Sequence, residues 1–286
     1  MKQHKIFAAA AAAMLFASAA VSASAADEPM TFRIDAKESA VCLDNMTEDA
    51  VLKGDVFIDN YTGLTSLRLI LKSDDPIVIK NGDFTRNPDK KDKQGEPLHR
   101  LFEEHADAEY MQYSEATGAS NVVLWYSKGF VSDEPAKVSD ATSSFVNFDI
   151  TVPKGTKPGD YKCYISTEET INVAGQKEED FFAYGGANQL VLDKDVKLAP
   201  LDVAVYLIGD SNLDGTVDVQ DAQTTLIAYT EGIAGNDPKL SKAQILASDV
   251  VKDGKVSVDD AQVILKYYTE KVVAGKKDTT WEQFLG

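Results

Sequence analysis

The chain has few of the residue types that enzymes and zinc proteins commonly use for chemistry. It contains two cysteines, Cys42 and Cys163, and three histidines in 286 residues. Two cysteines give no disulfide framework, and the sequence leaves open whether they form one disulfide or stay as two buried thiols. His99 and His105 have no cysteine or acidic ligand at metal spacing, so we expect surface or half-buried histidines rather than a zinc site.

Basic charge is also scarce. The chain has 29 Lys and Arg against 46 Asp and Glu, which gives a formal net charge of −17. A nucleic-acid-binding protein needs a basic surface that such a chain lacks. The excess of carboxylates suits an extracellular protein and a calcium binder.

Catalytic motifs are missing as well. The sequence has no G-x-S-x-G nucleophile elbow and no phosphate-binding loop. Acid pairs such as Glu103–Glu104 and Glu168–Glu169 do not indicate a glycosidase, because adjacency in sequence says nothing about the separation that the reaction needs. We expect solvated surface acids and a protein that is not an enzyme.

The one long apolar run lies at the N-terminus. A basic start precedes an apolar segment at Ile6–Ala20, and Ala23–Ala25 fits the small-residue rule for signal-peptide cleavage. The run is short, rich in alanine and followed at once by Asp27, which argues against a membrane anchor. Residues 1–26 are therefore predicted to be a signal peptide, and the remainder a secreted, extracellular chain without a membrane span.

From Met30 to about Val205 the apolar pattern has a period of two. Many short strands between Gly, Pro and Asn turns predict an all-β sandwich or jelly roll. Trp125, within a continuous apolar run, is expected in the core rather than on a sugar-binding surface. The predicted strands are Val51–Asn60, Ser66–Lys72, Asn121–Ser127, Phe145–Val152, Tyr161–Ser166 and Gln189–Leu192, with an inserted helix at Leu98–Tyr113.

Three segments of this β region resemble cohesins, the modules that receive dockerins in cellulosomes. They read V-F-I-D-N-Y-T-G-L-T-S-L-R-L-I-L (56–71), L-W-Y-S (124–127) and F-D-I-T-V-P-K-G-T-K-P-G-D-Y (148–161). The resemblance implies a cohesin-like sandwich over residues 27–200 that binds dockerin-bearing proteins through one flat sheet surface. The outward contact residues that it implies are Arg68, Ile70 and Lys72, with Phe145 and Asn147 as comparable positions.

The C-terminal region contains a repeat with an offset of 39 residues. G-D-S-N-L-D-G-T-V-D-V-Q-D at 209–221 returns in altered form at 248–260, and the match continues into the next segment. Calcium requires six or more oxygens, which alternate positions of a twelve-residue loop supply. The predicted ligands are Asp210, Asn212, Asp214, Thr216 (carbonyl), Asp218 and Asp221 in the first loop, and Asp249, Asp253, Lys255 (carbonyl), Ser257 and Asp260 in the second.

Two features differ from an ordinary EF-hand. Val251 occupies the position equivalent to Asn212, and both loops close with Asp rather than Glu. The alternative interpretation is a pair of acidic turns whose carboxylates cap helices. Ligand spacing over the whole loop favours calcium, with two ions bound.

The helix predicted after each loop carries V-x-D-A-Q-x-x-L, and the run Val203–Ile208 before the first loop has no helical period. Loop-then-helix, twice, resembles a dockerin. The resemblance implies a small all-α calcium-binding module over residues 206–286, joined by a short linker at 201–205, that docks into a scaffoldin cohesin. Leu226 and Leu265 are expected between the helices; the implied contact residues are Val219, Ala222, Gln223, Val258, Ala261, Gln262 and Lys266.

Together the two resemblances imply an adaptor scaffoldin, which is a non-catalytic connector between a dockerin-bearing component and another scaffoldin. A carbohydrate-binding module that carries a dockerin is the alternative, since sandwich folds serve both purposes. An enzyme with a dockerin is a third possibility, without any recognisable site to support it.

Overall fold

The computed structural model describes residues 28–44, 46–125, 134–171, 177–185 and 189–284. The predicted signal peptide at 1–26 lies outside the described residues. Within the described ranges, no helix has both the length and the apolar character needed to cross a membrane.

The described chain forms seventeen strands followed by three α-helices. The strands are β1 (Thr31–Ala36), β2 (Ala40–Cys42), β3 (Ala50–Asp59), β4 (Ser66–Ser73), β5 (Val78–Phe84), β6 (Arg86–Lys91), β7 (Pro97–His99), β8 (Ala108–Ser114), β9 (Ala119–Trp125), β10 (Val146–Val152), β11 (Gly159–Ile165), β12 (Glu169–Ile171), β13 (Lys177–Glu179), β14 (Phe182–Tyr184), β15 (Leu190–Leu192), β16 (Lys197–Ala199) and β17 (Leu201–Tyr206). The helices are α1 (Val219–Ile233), α2 (Lys242–Ser248) and α3 (Val258–Tyr268), the last continued by a π-helical turn at Thr269–Val273.

Two sheets make up most of the β region. One has the order β16-β1-β3-β10-β5, and the other runs β15-β14-β4-β11-β17-β2, with β9 and then β8 added on the free side of β4. Parallel pairing occurs between β1 and β16 and between β17 and β2, and the other described pairs in these sheets are antiparallel. The mainly β fold predicted from the period of two is confirmed.

The core lies between these two sheets. Leu67, Leu69 and Leu71 of β4 are at most 1% exposed, and they belong to the same apolar cluster as Phe32 of β1 and Phe148 of β10. Because successive strand residues face opposite sides, one apolar face from each sheet fills this layer. The alternation of Leu67, Leu69 and Leu71 thus predicted the correct face of β4.

The inserted helix predicted at Leu98–Tyr113 is wrong. This segment contains β7, an irregular loop and β8, and Phe102 forms an isolated bridge with Val138. The amide of Glu103 donates to the carbonyl of Lys137 at 2.9 Å, a long-range bond that replaces helical pairing. The apolar side chains of this segment have helical spacing, but pairing with residues outside the segment fixes its backbone. The local pattern therefore predicted the wrong secondary structure.

Two further predictions about burial are corrected in the same area. Phe145 is 0% exposed rather than outward, because it precedes β10 and its ring packs against Phe84 at 5.3 Å between centroids. His99 is 1% exposed, whereas it was predicted to lie at the surface or half-buried. Both rings fill the end of the sandwich beside Phe102, which lies 5.9 Å from Phe145 and 6.0 Å from His99 between ring centroids.

Residues 201–205 are not a linker. They lie in β17, which pairs with β11 on one side and β2 on the other. Val203 and Val205 are fully buried in the sandwich core. The β region therefore extends to Tyr206, four residues before the first acidic loop.

The C-terminal helical region contacts the sandwich directly through α2. The amide of Ala243 donates to Asp160 Oδ1 at 3.0 Å, and Lys242 Nζ donates to the carbonyl of Ser39 at 2.9 Å. At the start of the first loop, the amide of Gly209 donates to the carbonyl of Ala247 at 2.8 Å.

The helix α2 also ends directly before the second loop, at Ser248. The second loop therefore has a helix before it as well as after it, in contrast to the predicted loop-then-helix arrangement.

Candidate functional site

The first acidic loop is organised by two buried carboxylates, Asp210 and Asp221, both 0% exposed. Asp210 accepts from the amide of Asp214 at 3.0 Å through Oδ1 and from that of Gly215 at 2.9 Å through Oδ2. The backbone therefore curls around the Asp210 carboxylate. Gly215, with a φ of 91°, makes the turn that this curl requires.

Asp221 closes the first loop from the start of α1. It accepts from the amide of Asn212 at 3.1 Å through Oδ1 and from that of Asp218 at 2.8 Å through Oδ2. Asp214 Oδ1 accepts from the amide of Thr216 at 2.9 Å. The side chains predicted as ligands are thus brought together around one loop.

The second loop repeats this arrangement. Asp249 accepts from the amide of Asp253 at 3.1 Å and from that of Gly254 at 2.9 Å. Asp260 accepts from the amide of Val251 at 3.0 Å and from that of Ser257 at 2.9 Å. The predicted carbonyl ligand, Lys255, donates its amide to Asp253 Oδ1 at 2.9 Å, as Thr216 does to Asp214.

Helix capping accounts for only part of this geometry. Asp218 caps α1 by accepting from the amide of Gln220 at 2.6 Å, and Ser257 caps α3 by accepting from the amide of Asp259 at 3.2 Å. Asp210 and Asp249 lie eight positions before these caps, and their carboxylates accept from loop amides rather than from the first turn of a helix. A capping role alone leaves the burial of Asp210 and the half-burial of Asp249 unexplained.

The loops hold negative charge without a cationic partner among the described ion pairs. Burial raises the pKa of Asp221 to about 6 although two loop amides donate to its carboxylate. Burial also raises the pKa values of Asp210 and Asp249. Carboxylate, amide and carbonyl oxygens of this kind suit a hard divalent cation such as calcium, and each loop could hold one ion.

The helices that follow the loops each present a stripe of exposed side chains. Leu226 is 41% and Leu265 44% exposed, so the expectation that they lie between the helices is wrong. Ala222 and Ala261, predicted as docking contacts, are instead 7% and 8% exposed. The small alanines let α1 and α3 pack together, which turns the leucines outward. We define the α1 stripe as Val219, Gln223 and Leu226, which are exposed, and the α3 stripe as Val258, Gln262 and Leu265. Val258 is half-buried, and Lys266 is exposed beside the α3 stripe.

A groove with exposed aromatic side chains runs over the outer face of β4, β8, β9 and β14. It is lined in part by Arg68, Tyr110, Trp125 and Tyr184. Arg68 Nη1 lies 2.7 Å from Glu178 Oε2, which fixes the guanidinium in the groove. Trp125 is 39% exposed, so the prediction that it lies in the core is wrong.

The position of Trp125 follows from the alternation of side chains along β9. Val122 and Leu124 are buried, and alternation along β9 therefore turns Trp125 outward. Because every residue of the run Val122–Tyr126 is apolar or aromatic, its period of two is masked in the sequence. Residues 126–127, predicted to continue the strand, lie outside the described residues.

The other predicted sheet-face residues differ in their surroundings. Ile70 is half-buried on β4. Lys72 Nζ lies 2.6 Å from Glu168 Oε2 and 3.3 Å from Asp180 Oδ2. Asp180 is fully buried, so Lys72 compensates an internal charge and is poorly placed to contact a partner. Asn147 is exposed on the opposite sheet, in β10.

No protein-family model matches the sequence. A search of curated proteins found no match either.

Solved structures similar to the chain include cohesin modules. A chain of a type I cohesin–dockerin complex from Clostridium thermocellum is 14% identical with a TM-score of 0.36, and the match covers 61% of this chain and 99% of that one. A cohesin module of a family 33 glycoside hydrolase from Clostridium perfringens is 9% identical with a TM-score of 0.37 over 63% and 98% of the chains. A type II cohesin from Acetivibrio cellulolyticus is 10% identical with a TM-score of 0.38 over 61% and 95%.

Proposed function

We propose that this chain is a secreted, non-catalytic adaptor of a cellulosome. Its β-sandwich binds the dockerin of an enzyme or other component, and its own C-terminal region is a calcium-dependent dockerin that docks into a scaffoldin cohesin. The observation that carries the proposal is the repeat itself. Two loops with the same set of carboxylate-to-amide bonds each precede a helix whose stripe has the same residue types and an exposed leucine.

Calcium has a clear physical task in this proposal. Asp210 and Asp221 are buried together, and without a cation their charges repel each other and are poorly solvated. One ion in each loop relieves both penalties and joins the loop firmly to the first turn of its helix. The residues beyond the loop are then ordered before a partner arrives, which lowers the entropic cost of docking.

The helix stripes supply the docking surface for a cohesin. Leu226 and Ile227 of α1 are 41% and 61% exposed, and neither belongs to the small apolar cluster that α1 shares with α3. Val219 and Leu226, seven positions apart on the α1 stripe, are both exposed. Apolar side chains at this spacing on a cation-ordered helix suit burial against a flat partner surface. The proposed partner is a cohesin because the loop-and-helix repeat resembles a dockerin.

The groove on the sandwich supplies the second surface. Aromatic side chains and a paired arginine are the residue types enriched at the centres of protein interfaces. Trp125, Tyr110 and Arg68 occupy this groove on β9, β8 and β4. The groove includes Arg68, which the cohesin resemblance implied as a contact residue. We therefore propose that the groove is where the dockerin of a partner binds.

The test measures binding of the full chain to a panel of purified cohesins and to a panel of purified dockerins in the presence of calcium. Partner dockerins need calcium themselves, so chelation cannot separate the two surfaces and variants of this chain are used. Asp210→Ala with Asp249→Ala should abolish cohesin binding and leave dockerin binding intact. Arg68→Glu with Trp125→Ala should do the reverse. The adaptor proposal would be contradicted if the chain bound neither panel, or if each variant lost binding to both panels.

Carbohydrate binding is the second candidate function, and the exposed Trp125, Tyr110 and Tyr184 favour it because aromatic rings stack on sugar faces. Affinity electrophoresis through gels that contain soluble plant polysaccharides distinguishes the two. Retardation that is lost in Trp125→Ala, together with no dockerin binding, would favour a carbohydrate-binding module that carries a dockerin.

A further inference from the structure

A second cluster of possible metal ligands lies in the sandwich, separate from the acidic loops. One ring nitrogen of His99, one of His105 and a carboxylate oxygen of Glu109 all lie within 4.8 Å of one another. Glu109 follows His105 by four positions, so an acidic residue does stand near the histidines, contrary to the sequence-based expectation. The three residues come from β7, from the loop after it and from β8.

His99 is the buried member of this cluster. Its ring is 1% exposed and packs against Phe84 and Phe102, with centroids 5.2 Å and 6.0 Å away. Nε2 lies 2.6 Å from Glu109 Oε2, whereas Nδ1 has no hydrogen-bond partner among the described residues. A ring held in this way has a fixed direction toward the carboxylate, as a metal ligand requires.

Arg86 orients the carboxylate from the other side. It donates through Nη2 to Glu109 Oε1, which leaves Oε2 directed at His99. Its Nη1 lies 3.3 Å from Nδ1 of His105, and Nε2 of His105 has no hydrogen-bond partner among the described residues. His105 therefore retains a nitrogen without a hydrogen bond among the described residues, His99 directs Nε2 at the carboxylate, and Arg86 holds that carboxylate in place.

Asp92 lies beside His105, outside the cluster of three, and a movement of its carboxylate toward the cluster would supply a fourth ligand. Its Oδ1 accepts from the amides of Gln94 and Glu96 in the turn of the β6–β7 hairpin. Its Oδ2 lies 3.5 Å from His105 Nε2 and accepts no hydrogen bond among those described. A surface concavity lined by Asp92, His105 and Glu109 gives an ion access to the cluster.

We propose that His99, His105, Glu109 and Asp92 form a structural zinc site. Two imidazoles and two carboxylates are a ligand set that suits zinc rather than calcium, which prefers oxygen alone. The ion takes the place of the hydrogen between His99 Nε2 and Glu109 Oε2, and the neutral imidazole then carries its single hydrogen on Nδ1. Bound zinc joins the β6–β7 hairpin and the irregular loop after it to β8, and so fixes a segment with little regular structure.

The experiment is a zinc titration by calorimetry of the full chain without a histidine tag, in excess calcium so that the acidic loops are saturated. Cobalt is titrated in parallel, because tetrahedral nitrogen and oxygen coordination gives intense visible absorption bands. We expect one zinc per chain and tetrahedral cobalt bands. His105→Gln should weaken zinc binding by at least about tenfold.

Glu96→Gln is the matched control, since Glu96 lines the same concavity without belonging to the cluster. This variant should bind zinc as the parent chain does. Asp92→Asn keeps the acceptor that the hairpin turn needs, and it tests the site independently if His105→Gln fails to fold. Absence of zinc binding in excess calcium, or binding that none of the ligand variants weakens, would overturn the proposal.

Discussion

Asp210 and Asp249 hold their loops in the same way although they are 39 positions apart. Each accepts one amide from the residue four positions later and another from the residue five positions later, at distances between 2.9 and 3.1 Å. Leu213 and Lys252 also share a left-handed backbone, with φ of 62° and 60°. The two loops therefore have one geometry and differ mainly in the side chains that they offer to a cation.

The first prediction uses the main difference between the loops. Asn212 Oδ1 accepts from the amide of Asp214 at 2.8 Å, whereas Val251 offers no side-chain oxygen. Calcium affinity rises with the number of ligand oxygens. Val251→Asn should tighten the second site by about tenfold, that is by about 1.4 kcal/mol, and Asn212→Val should weaken the first by a similar factor. Calorimetric titration of calcium into the chain, after its calcium has been removed with a chelator, measures both changes in affinity.

Val251→Ala is the control for that comparison, because it changes the side chain without adding an oxygen. It should leave the second site unchanged. If Val251→Asn binds calcium no better than Val251→Ala, position 3 of the loop does not contribute a ligand.

The second prediction concerns the contact between the first loop and the C-terminal segment. Gly209 has a φ of 84°, and a Cβ there would lie 2.4 Å from Cη2 of Trp281. Trp281 is 7% exposed and stacks on Tyr267 with centroids 3.7 Å apart, so it cannot move without loss of packing. Gly209→Ala should destabilise the helical region by about 3 kcal/mol or more, measured by urea unfolding in calcium.

Gly235→Ala separates backbone strain from the clash. Gly235 has a similar φ of 79°, but no neighbouring atom lies within 4 Å of the position that a Cβ would take there. Its substitution should cost only the left-handed strain of about 1–2 kcal/mol. Equal destabilisation by the two substitutions would show that the Trp281 contact is unimportant.

Features that depend on residues close together in the chain could be predicted from the sequence, and features that depend on distant residues could not. Alternation along β4 predicted the burial of Leu67 because one strand facing one core produces a period of two. The loop residues around Asp210 were predictable for a similar reason, since the whole loop is contiguous in the chain. The strand β17 was predicted to be a linker because its pairing partners, β11 and β2, are distant in sequence.

The cluster around His99 could not be predicted from the sequence, because it also depends on contacts between residues in different strands and loops. Asp92 and Arg86 reach it through the β6–β7 hairpin, and that hairpin depends on pairing that the sequence pattern did not show. Apolar residues between Leu98 and Tyr113 occur at helical spacing, yet long-range bridges decide their conformation. Tertiary contacts overrode the local preference in this segment.

The third prediction is that the two cysteines never form an intramolecular disulfide in the native chain. Cys42 in β2 lies opposite Tyr206, at one end of β17. Cys163 in β11 lies opposite Leu201, at the other end of β17 and on its other side. Five residues at about 3.3 Å and two strand spacings of about 4.8 Å separate them. This is far beyond the Cα separation that a disulfide spans, about 7 Å at most.

Both thiols should also react slowly in the native state. Burial raises the pKa of Cys163 to about 12 and that of Cys42 to about 11, so few thiolates form near pH 8. A thiol-specific chromogenic reagent should label neither cysteine in the folded chain at that pH and both in denaturant without reductant. Fewer than two reactive thiols after denaturation would indicate a disulfide.

The last prediction concerns the orientation in which the helices dock, and it rests on the proposed function. The α1 and α3 stripes match residue by residue, but beside them Ile227 of α1 is 61% exposed where α3 has Lys266. The α1 side thus offers more apolar area and no charge to desolvate, so it should form the main contact with a cohesin. Gln223→Asp with Leu226→Asp should weaken cohesin binding by at least about 30-fold, the effect of a loss of about 2 kcal/mol. Gln262→Asp with Leu265→Asp should weaken it only slightly, and Gln220→Asp controls for added charge on α1. Equal, mild losses from the two pairs, with binding abolished only when all four residues are changed, would mean that both orientations are used and that Ile227 does not decide between them.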